Sequence, residues 1–140
     1  MSVKSKHISV KVKEDCGIAD ITEMVSSAVR ESGITNGIVT VFCIGSTGAV
    51  TTMEFEPNLS KDFSQCLEEL IPLNRDYNHH KTWGDYNGGS HLRSMLVGTS
   101  LTIPFVEKRL TLGTWQHIVC INFDRTERTR NIMLQIMGEL

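Results

Sequence analysis

The stretch Gly-Ile-Val-Thr-Val-Phe-Cys-Ile, residues 37–44, limits the fold more than any other segment. β-Branched and aromatic side chains pack well on a pleated surface and lose rotamer freedom in a helix, so a run this apolar is a central strand. Its neighbours carry the same signal in weaker form. Residues 6–13 alternate apolar and polar from Ile8 onward, as a half-buried strand does. Gly45-Ser46-Thr47-Gly48 interrupts the apolar run, and extended structure resumes from Val50 to Phe55. Alternation there sets Val50, Thr52 and Glu54 on one face and Thr51, Met53 and Phe55 on the other. Further strands are expected over 100–105, 109–112, 116–123 and 131–137, with Pro104 marking an edge or a strand end.

Helical periods interrupt this pattern three times. Ile18, Ile21, Val25, Ala28 and Val29 share one face; Asp20 with Glu23 reads as a capping box and Gly33 as a stop, so 20–32 is a helix. A second helix follows Pro57, with Ser60 as N-cap, the stripe Phe63, Leu67, Leu70 and Ile71, and Pro72 as its end. A short third one over 91–97 has Leu92, Met95 and Leu96 spaced for an apolar face, and Gly98 closes it. There is no internal repeat or linker, and 40% hydrophobic residues suffice for a core. The expectation is one α+β domain over 1–140, a mainly antiparallel β sandwich with inserted helices.

Charge and cysteine usage exclude several roles. A formal net charge of −2 gives no ground for nucleic-acid binding. No segment is long and apolar enough for a membrane span, so no membrane partner is expected. Cys16, Cys43, Cys66 and Cys120 include no C-x-x-C pair, which argues against a zinc ribbon or a disulfide scaffold. They read as small buried hydrophobes in a reducing, cytoplasmic compartment.

The chemistry-bearing side chains concentrate between Tyr77 and His91, where three of the five histidines stand among glycines, asparagines and an aspartate. Imidazole is the commonest protein ligand for zinc, and His79 with His91 at a helix start can converge on one point. The alternative is loop-ordering hydrogen bonds or exposure. His80 points away from its neighbour; Asp85 is a third ligand, an orienter of an imidazole, or a plain turn residue. The Gly45–Gly48 segment can offer backbone N–H groups and the Ser46 and Thr47 hydroxyls to an anion, or be a simple turn. Glu54 is a candidate acid–base group, or one more solvated carboxylate. Trp115 and Gln116 offer a flat wall with donors and an acceptor for a heterocycle, against the commoner meaning of a core Trp. His117 reads as a packed or interface histidine. The run from Arg125 to Arg130 reads as a solvated turn or a subunit contact rather than a phosphate site.

Three segments together resemble one known family: His79-x-x-x-Trp83-x-Asp85-x-Asn87-Gly88-x-Ser90-His91-Leu92-Arg93, then Gly98-x-Ser100-Leu101-Thr102-Ile103-Pro104, then Arg109-Leu110-x-Leu112-Gly113-Thr114-Trp115-Gln116. They are similar to the YjbQ-like family, often labelled secondary thiamine-phosphate synthase. The resemblance implies a small α+β sandwich, assembly as a homotrimer, and a divalent metal, zinc before others, on histidines. It places motif residues at Thr47, Glu54, His79, Asn87, His91, Trp115 and Gln116. Catalytic roles then fall to Glu54, His79 and His91, and metal ligation to His79, His91 and Asp85. Ser46, Thr47, Asn87, Trp115 and Gln116 would hold a small phosphorylated substrate. Two other readings stay open: a metal-assisted phosphate-ester hydrolase, and a trimer that binds a small ligand without catalysis. This chain also departs from its relatives. It has Gly45 and Gly89 where many carry histidine, so a missing ligand would come from Asp85, Glu54, His80, water or a neighbouring subunit. It has Glu107-Lys108 where they carry Asn-Gly, so a change of turn type is expected.

Overall fold

A computed structural model covers residues 1–140 and shows an α+β fold of two antiparallel sheets with three α-helices. The strands are β1 (Ser2–Val12), β2 (Gly17–Asp20), β3 (Asn36–Ile44), β4 (Gly48–Glu54), β5 (Ser100–Val106), β6 (Arg109–Leu110), β7 (Gln116–Asn122) and β8 (Arg128–Glu139). The helices are α1 (Thr22–Glu31), α2 (Pro57–Leu70) and α3 (Gly88–Val97), and one 3-10 turn spans Asn78–Lys81. One sheet has the order β1-β8-β3-β5-β6 and the other β2-β7-β4.

The expected central strand is central: β3 pairs with β8 on one side and β5 on the other. Only alternate residues are covered, however. Val39, Val41 and Cys43 point into the main core, while Ile38, Phe42 and Ile44 stay exposed on the outer face. The main core lies between the sheets and takes Ile132, Leu134 and Ile136 from β8, Ile118 and Cys120 from β7, and Val25, Ala28 and Val29 from α1. Successive residues of a strand face opposite ways, so Val119 and Ile121 of β7 enter a second, smaller cluster with Ala49, Phe123 and Leu67 of α2. β7 is thus buried on both faces. Each such aliphatic side chain contributes roughly 1.5–3 kcal/mol by leaving water.

Several local expectations are corrected, each for a physical reason. Asp20 ends β2 instead of opening a capping box; its Oδ1 accepts from the Thr22 amide at 2.9 Å and hydroxyl at 2.6 Å, while Glu23 turns to Arg30 at 2.7 Å. α2 is capped by Glu56, not Ser60. The Glu56 carboxylate accepts from the Asn58 and Leu59 amides at 2.8 and 2.7 Å, and Pro57 takes the first helical position, where no N–H is needed. Strand β8 extends past both expected ends, and β6 stops at Leu110. Cys66 is exposed, unlike the other three cysteines.

The β5–β6 turn keeps the geometry that Asn-Gly would favour. Glu107 and Lys108 have φ of 50° and 64°, both in the left-handed region, as a two-residue hairpin of the mirror-image type demands. Surrounding bonds impose this strained state: Asn36 Oδ1 accepts from the Glu107 amide at 3.0 Å and Thr35 O from the Lys108 amide at 2.8 Å.

The third helix is turned opposite to expectation. Its buried residues are Gly88, Gly89, Ser90, Arg93 and Ser94, and the stripe Leu92, Met95 and Leu96 faces out. Small residues let α3 lie close against β4, with Ser94 Oγ donating to Gly48 O at 2.6 Å. Arg93 anchors it to the end of α2, donating from Nε and Nη2 to Ile71 O and from Nη2 to Glu68 at 2.9 Å. No helix is long and apolar enough to cross a membrane.

Candidate functional site

His91 sits in the first turn of α3, where its Nδ1 lies 3.1 Å from Ser46 O. A carbonyl can only accept, so Nδ1 carries the hydrogen and Nε2 keeps its lone pair. The His79 ring packs on it edge to face, with 4.7 Å between centroids. His79 Nε2 is buried and has no hydrogen-bond partner, and the same holds for Asn87 Oδ1 and Ser90 Oγ. Buried polar atoms are nearly always satisfied. Three such side chains within twelve residues of sequence need partners that the packing does not supply, either water or a ligand.

His80 has a different task. Its Nε2 accepts from the Gly88 amide at 3.1 Å, and its ring packs edge-on to Tyr77 and beside Tyr86. Tyr77 in turn donates to Pro72 O at 2.6 Å. With Nε2 accepting, the ring hydrogen lies on Nδ1, which faces Asp76 at 3.8 Å, so His80 bolts the 3-10 turn to the start of α3 and has no lone pair left to replace a missing ligand. Asp85 is exposed, and no three or more His, Cys, Asp or Glu side chains converge as a metal-binding group. A catalytic zinc takes three protein ligands and a structural one four. This chain alone presents two imidazoles, so a zinc held here would need a further ligand from outside it.

Beneath the Gly45–Gly48 segment lies Arg130, which its place in a charged run marked as solvated. It is 3% exposed. Its Nη2 donates to Thr47 Oγ1 at 2.8 Å and to Asn122 Oδ1, Nε is buried without a partner, and no carboxylate pairs with it. Burial pulls its pKa below the usual arginine value, and the neighbouring Cys43 thiol works against that shift. Gly45, at φ 135°, lies directly over this side chain; a Cβ there would sit 3.3 Å from Nη1. The Thr47 hydroxyl is committed to Arg130 and, at 3.4 Å, to Asp124. So Thr47 holds the segment in shape and is no free donor, whereas Ser46 stays exposed beside His91. The alternation of β8, where Arg130, Ile132, Leu134 and Ile136 all point inward, is the one signal that could have revealed Arg130.

The remaining expected residues form a separate group. Glu54 pairs in register with Gln116 across β4 and β7. Gln116 spends both ends of its amide locally: Nε2 donates to Thr52 Oγ1 at 3.0 Å, and Oε1 accepts from the Gly113 amide at 3.1 Å. Trp115 is 72% exposed, and Glu54 makes no side-chain hydrogen bond or ion pair. His117 packs near Phe55 and bonds Asp20 Oδ2 at 2.9 Å. Strand β4 starts at Gly48, beside α3, and ends at Glu54. Six residue steps at about 3.3 Å put roughly 20 Å between the two groups. One chain brings Ser46, Asn87, His79 and His91 together, and keeps Glu54, Trp115 and Gln116 apart from them.

Comparison with known proteins gives one consistent answer. A family model described as UPF0047 protein YjbQ-like matches residues 6–139. A UPF0047 protein of Methanothermobacter thermautotrophicus is 36% identical over 139 residues, covering 99% of this chain and 95% of the relative. The Bacillus subtilis UPF0047 protein YugU is 31% identical over 134 residues, covering 95% and 98%. Among solved structures, the hypothetical protein APE1520 from Aeropyrum pernix K1 superposes with a TM-score of 0.90 at 32% identity, covering 97% of this chain and 99% of that one. A protein of unknown function from Sulfolobus solfataricus P2 gives a TM-score of 0.87 at 31% identity, covering 99% and 100%.

Proposed function

The chain belongs to the YjbQ-like UPF0047 family, and on that premise we propose a thiamine-phosphate synthase-like transferase centred on His79 and His91. The observation that supports it is the paired imidazoles, one fixed in tautomer by Ser46 O and the other with a buried, unpartnered Nε2. In this reaction the thiazole ring nitrogen attacks the methylene carbon of the pyrimidine pyrophosphate. A C–N bond forms, the C–O bond breaks, and its electron pair leaves on pyrophosphate. No proton has to move in that step. The protein has to hold the reactants in line and neutralise charge growing on the leaving group.

The Ser46 hydroxyl beside the imidazoles is placed to donate to the leaving oxygens, while the lone pair on His91 Nε2 suits a cation that would bridge to them. A zinc ion held by the two histidines and a ligand from outside the chain would supply that positive charge. The assembly expected to carry the site is a homotrimer.

The test is direct incubation with the pyrimidine pyrophosphate and the thiazole phosphate, following pyrophosphate and condensed product. The parent should form both, and His91→Gln should lower turnover by roughly 10²-fold, the loss of one charge-stabilising group. Phosphate release from simple esters without any condensed product would assign the site to a hydrolase instead. Elemental analysis of protein made without a histidine tag should find near one zinc per chain. A metal-free parent that binds added zinc no better than His79→Ala and His91→Ala removes the ion from the account.

A further inference from the structure

We propose that the buried Arg130 guanidinium and the Gly45–Gly48 segment above it form a subsite for a phosphoryl or pyrophosphoryl group, set beside the His79–His91 pair. This rests on the transferase reading and deepens it, because that reaction needs a place for a phosphorylated reactant and for the departing pyrophosphate. Two independent observations lead to it.

The first is a buried cation with neutral partners only. Taking a guanidinium out of water is costly unless an opposite charge compensates. Arg130 is 3% exposed, and its Nη2 donates to Thr47 Oγ1 at 2.8 Å and to Asn122 Oδ1. The nearby Asp124 carboxylate pairs with Arg128 at 2.5 Å instead. Asn122 is itself fixed, its amide nitrogen donating to the carbonyls of Val12, Lys13 and Thr126 at 3.1, 3.2 and 3.0 Å. The guanidinium is thus held in one place before any ligand arrives, which lowers the cost of binding. Nη1 is left over. It makes no hydrogen bond in the chain and, unlike Nε, is not sealed from solvent.

The second is the main chain above it. A Cβ at Gly45 would come within 3.3 Å of Nη1, and one at Gly48 within 3.1 Å of Nε. Glycine at 45 therefore leaves Nη1 uncovered where a side chain would stand over it. Between the two glycines, the N–H groups of Gly45, Ser46 and Thr47 donate to no acceptor in the chain. Successive free amides beside an arginine suit the oxygens of a phosphoryl group. The Ser46 hydroxyl is exposed in the same segment, and Ser46 O accepts from His91 Nδ1 at 3.1 Å. One residue therefore joins the anion subsite to the imidazole pair. A phosphoryl group seated on Nη1 and these amides brings the negative charge that Arg130 lacks.

The test uses the whole chain freed of metal with a chelator, and inorganic pyrophosphate as the probe against chloride at equal ionic strength. Calorimetry should show saturable binding. NMR should show the Gly45, Ser46 and Thr47 amides and the Arg130 guanidinium shifting together. No binding, or binding that leaves those signals unmoved, overturns the proposal. So does binding that requires added zinc, since the anion then sits on the metal. Arg130→Met should weaken binding roughly 10-fold or more. Equal binding by folded Arg130→Met overturns the subsite; if that variant does not fold, the guanidinium signals of the parent decide. Pyrophosphate held on these groups without any condensed product keeps the subsite and removes the transferase. Full transferase activity in folded Arg130→Met removes the subsite and keeps the transferase.

Discussion

Replacing Arg93 by methionine should destabilise the protein by about 3 kcal/mol, chiefly through one helix end. The guanidinium is 2% exposed and lies against the carbonyl of Ile71, the residue that closes α2. Two N–H groups converge on that oxygen, Nε at 3.0 Å and Nη2 at 2.8 Å. A charged donor on a carbonyl is worth roughly 1.5–3 kcal/mol net, and a cation in the last turn of a helix adds about 0.3–1 kcal/mol. The bond to Glu68 adds less, because that carboxylate is 57% exposed and such pairs contribute about 1 kcal/mol at most. Methionine keeps most of the buried stem, so the cavity left is small. In a chain of this length the loss lowers Tm by roughly 10 °C. Urea unfolding at fixed protein concentration measures it, with Glu68→Gln as the control expected to lose about 1 kcal/mol or less. If Glu68→Gln proves as damaging as Arg93→Met, the ion pair and not the carbonyl holds α3 to α2, and the reasoning is refuted.

Three further outcomes are expected. The double change Glu107→Asn with Lys108→Gly should stabilise the chain by about 1 kcal/mol, read from the urea midpoint, since two left-handed residues each give up strain while glycine frees the unfolded chain. Arg130→Met removes two hydrogen bonds but also a buried cation with no carboxylate partner, so its net cost should stay near 2 kcal/mol, while Ser46 and His91 NMR signals shift because Thr47 is released. For Asp20, burial alone would raise the carboxyl pKa, but the bonds from the Thr22 hydroxyl and amide, then His117, outweigh it and hold it below 3.8. Its stabilisation is therefore present at neutral pH and lost as pH falls through the folded value. Asp20→Asn should lower the urea midpoint at pH 7, with the gap to the parent closing towards pH 3.

Strand content was legible because period-two alternation is a local signal. The run 37–44 became the central strand β3, though it buries only alternate residues, and β4 keeps the faces expected from Val50 to Glu54. Helix ends were less legible, because several residues in each competed for the same amide groups. Asp20 had a nearer partner in the Thr22 hydroxyl, and Glu56 preceded Pro57 closely enough to cap α2 before Ser60 could. Orientation was not legible at all in α3. The spacing of Leu92, Met95 and Leu96 says that they share a face, but not which face meets the protein. Gly88 and Gly89 decide that by lying against Tyr77 and Leu73, where a Cβ would crowd, and Ser94 by bonding Gly48 of β4.

The site shows the same division between local and distant information. His79, Asn87 and His91 are close in sequence, and the structure places the two rings in contact with orphaned polar atoms around them. Arg130 was hidden by its charged neighbours, although it falls in phase with Ile132, Leu134 and Ile136 on the inner face of β8. Glu54 and Trp115 were grouped with the histidines by the family resemblance, yet β4 holds them a strand's length away. The pairing of Glu54 with Gln116 is a register between β4 and β7, and no local spacing could tell that Gly48, not Glu54, is the end of β4 that lies beside α3.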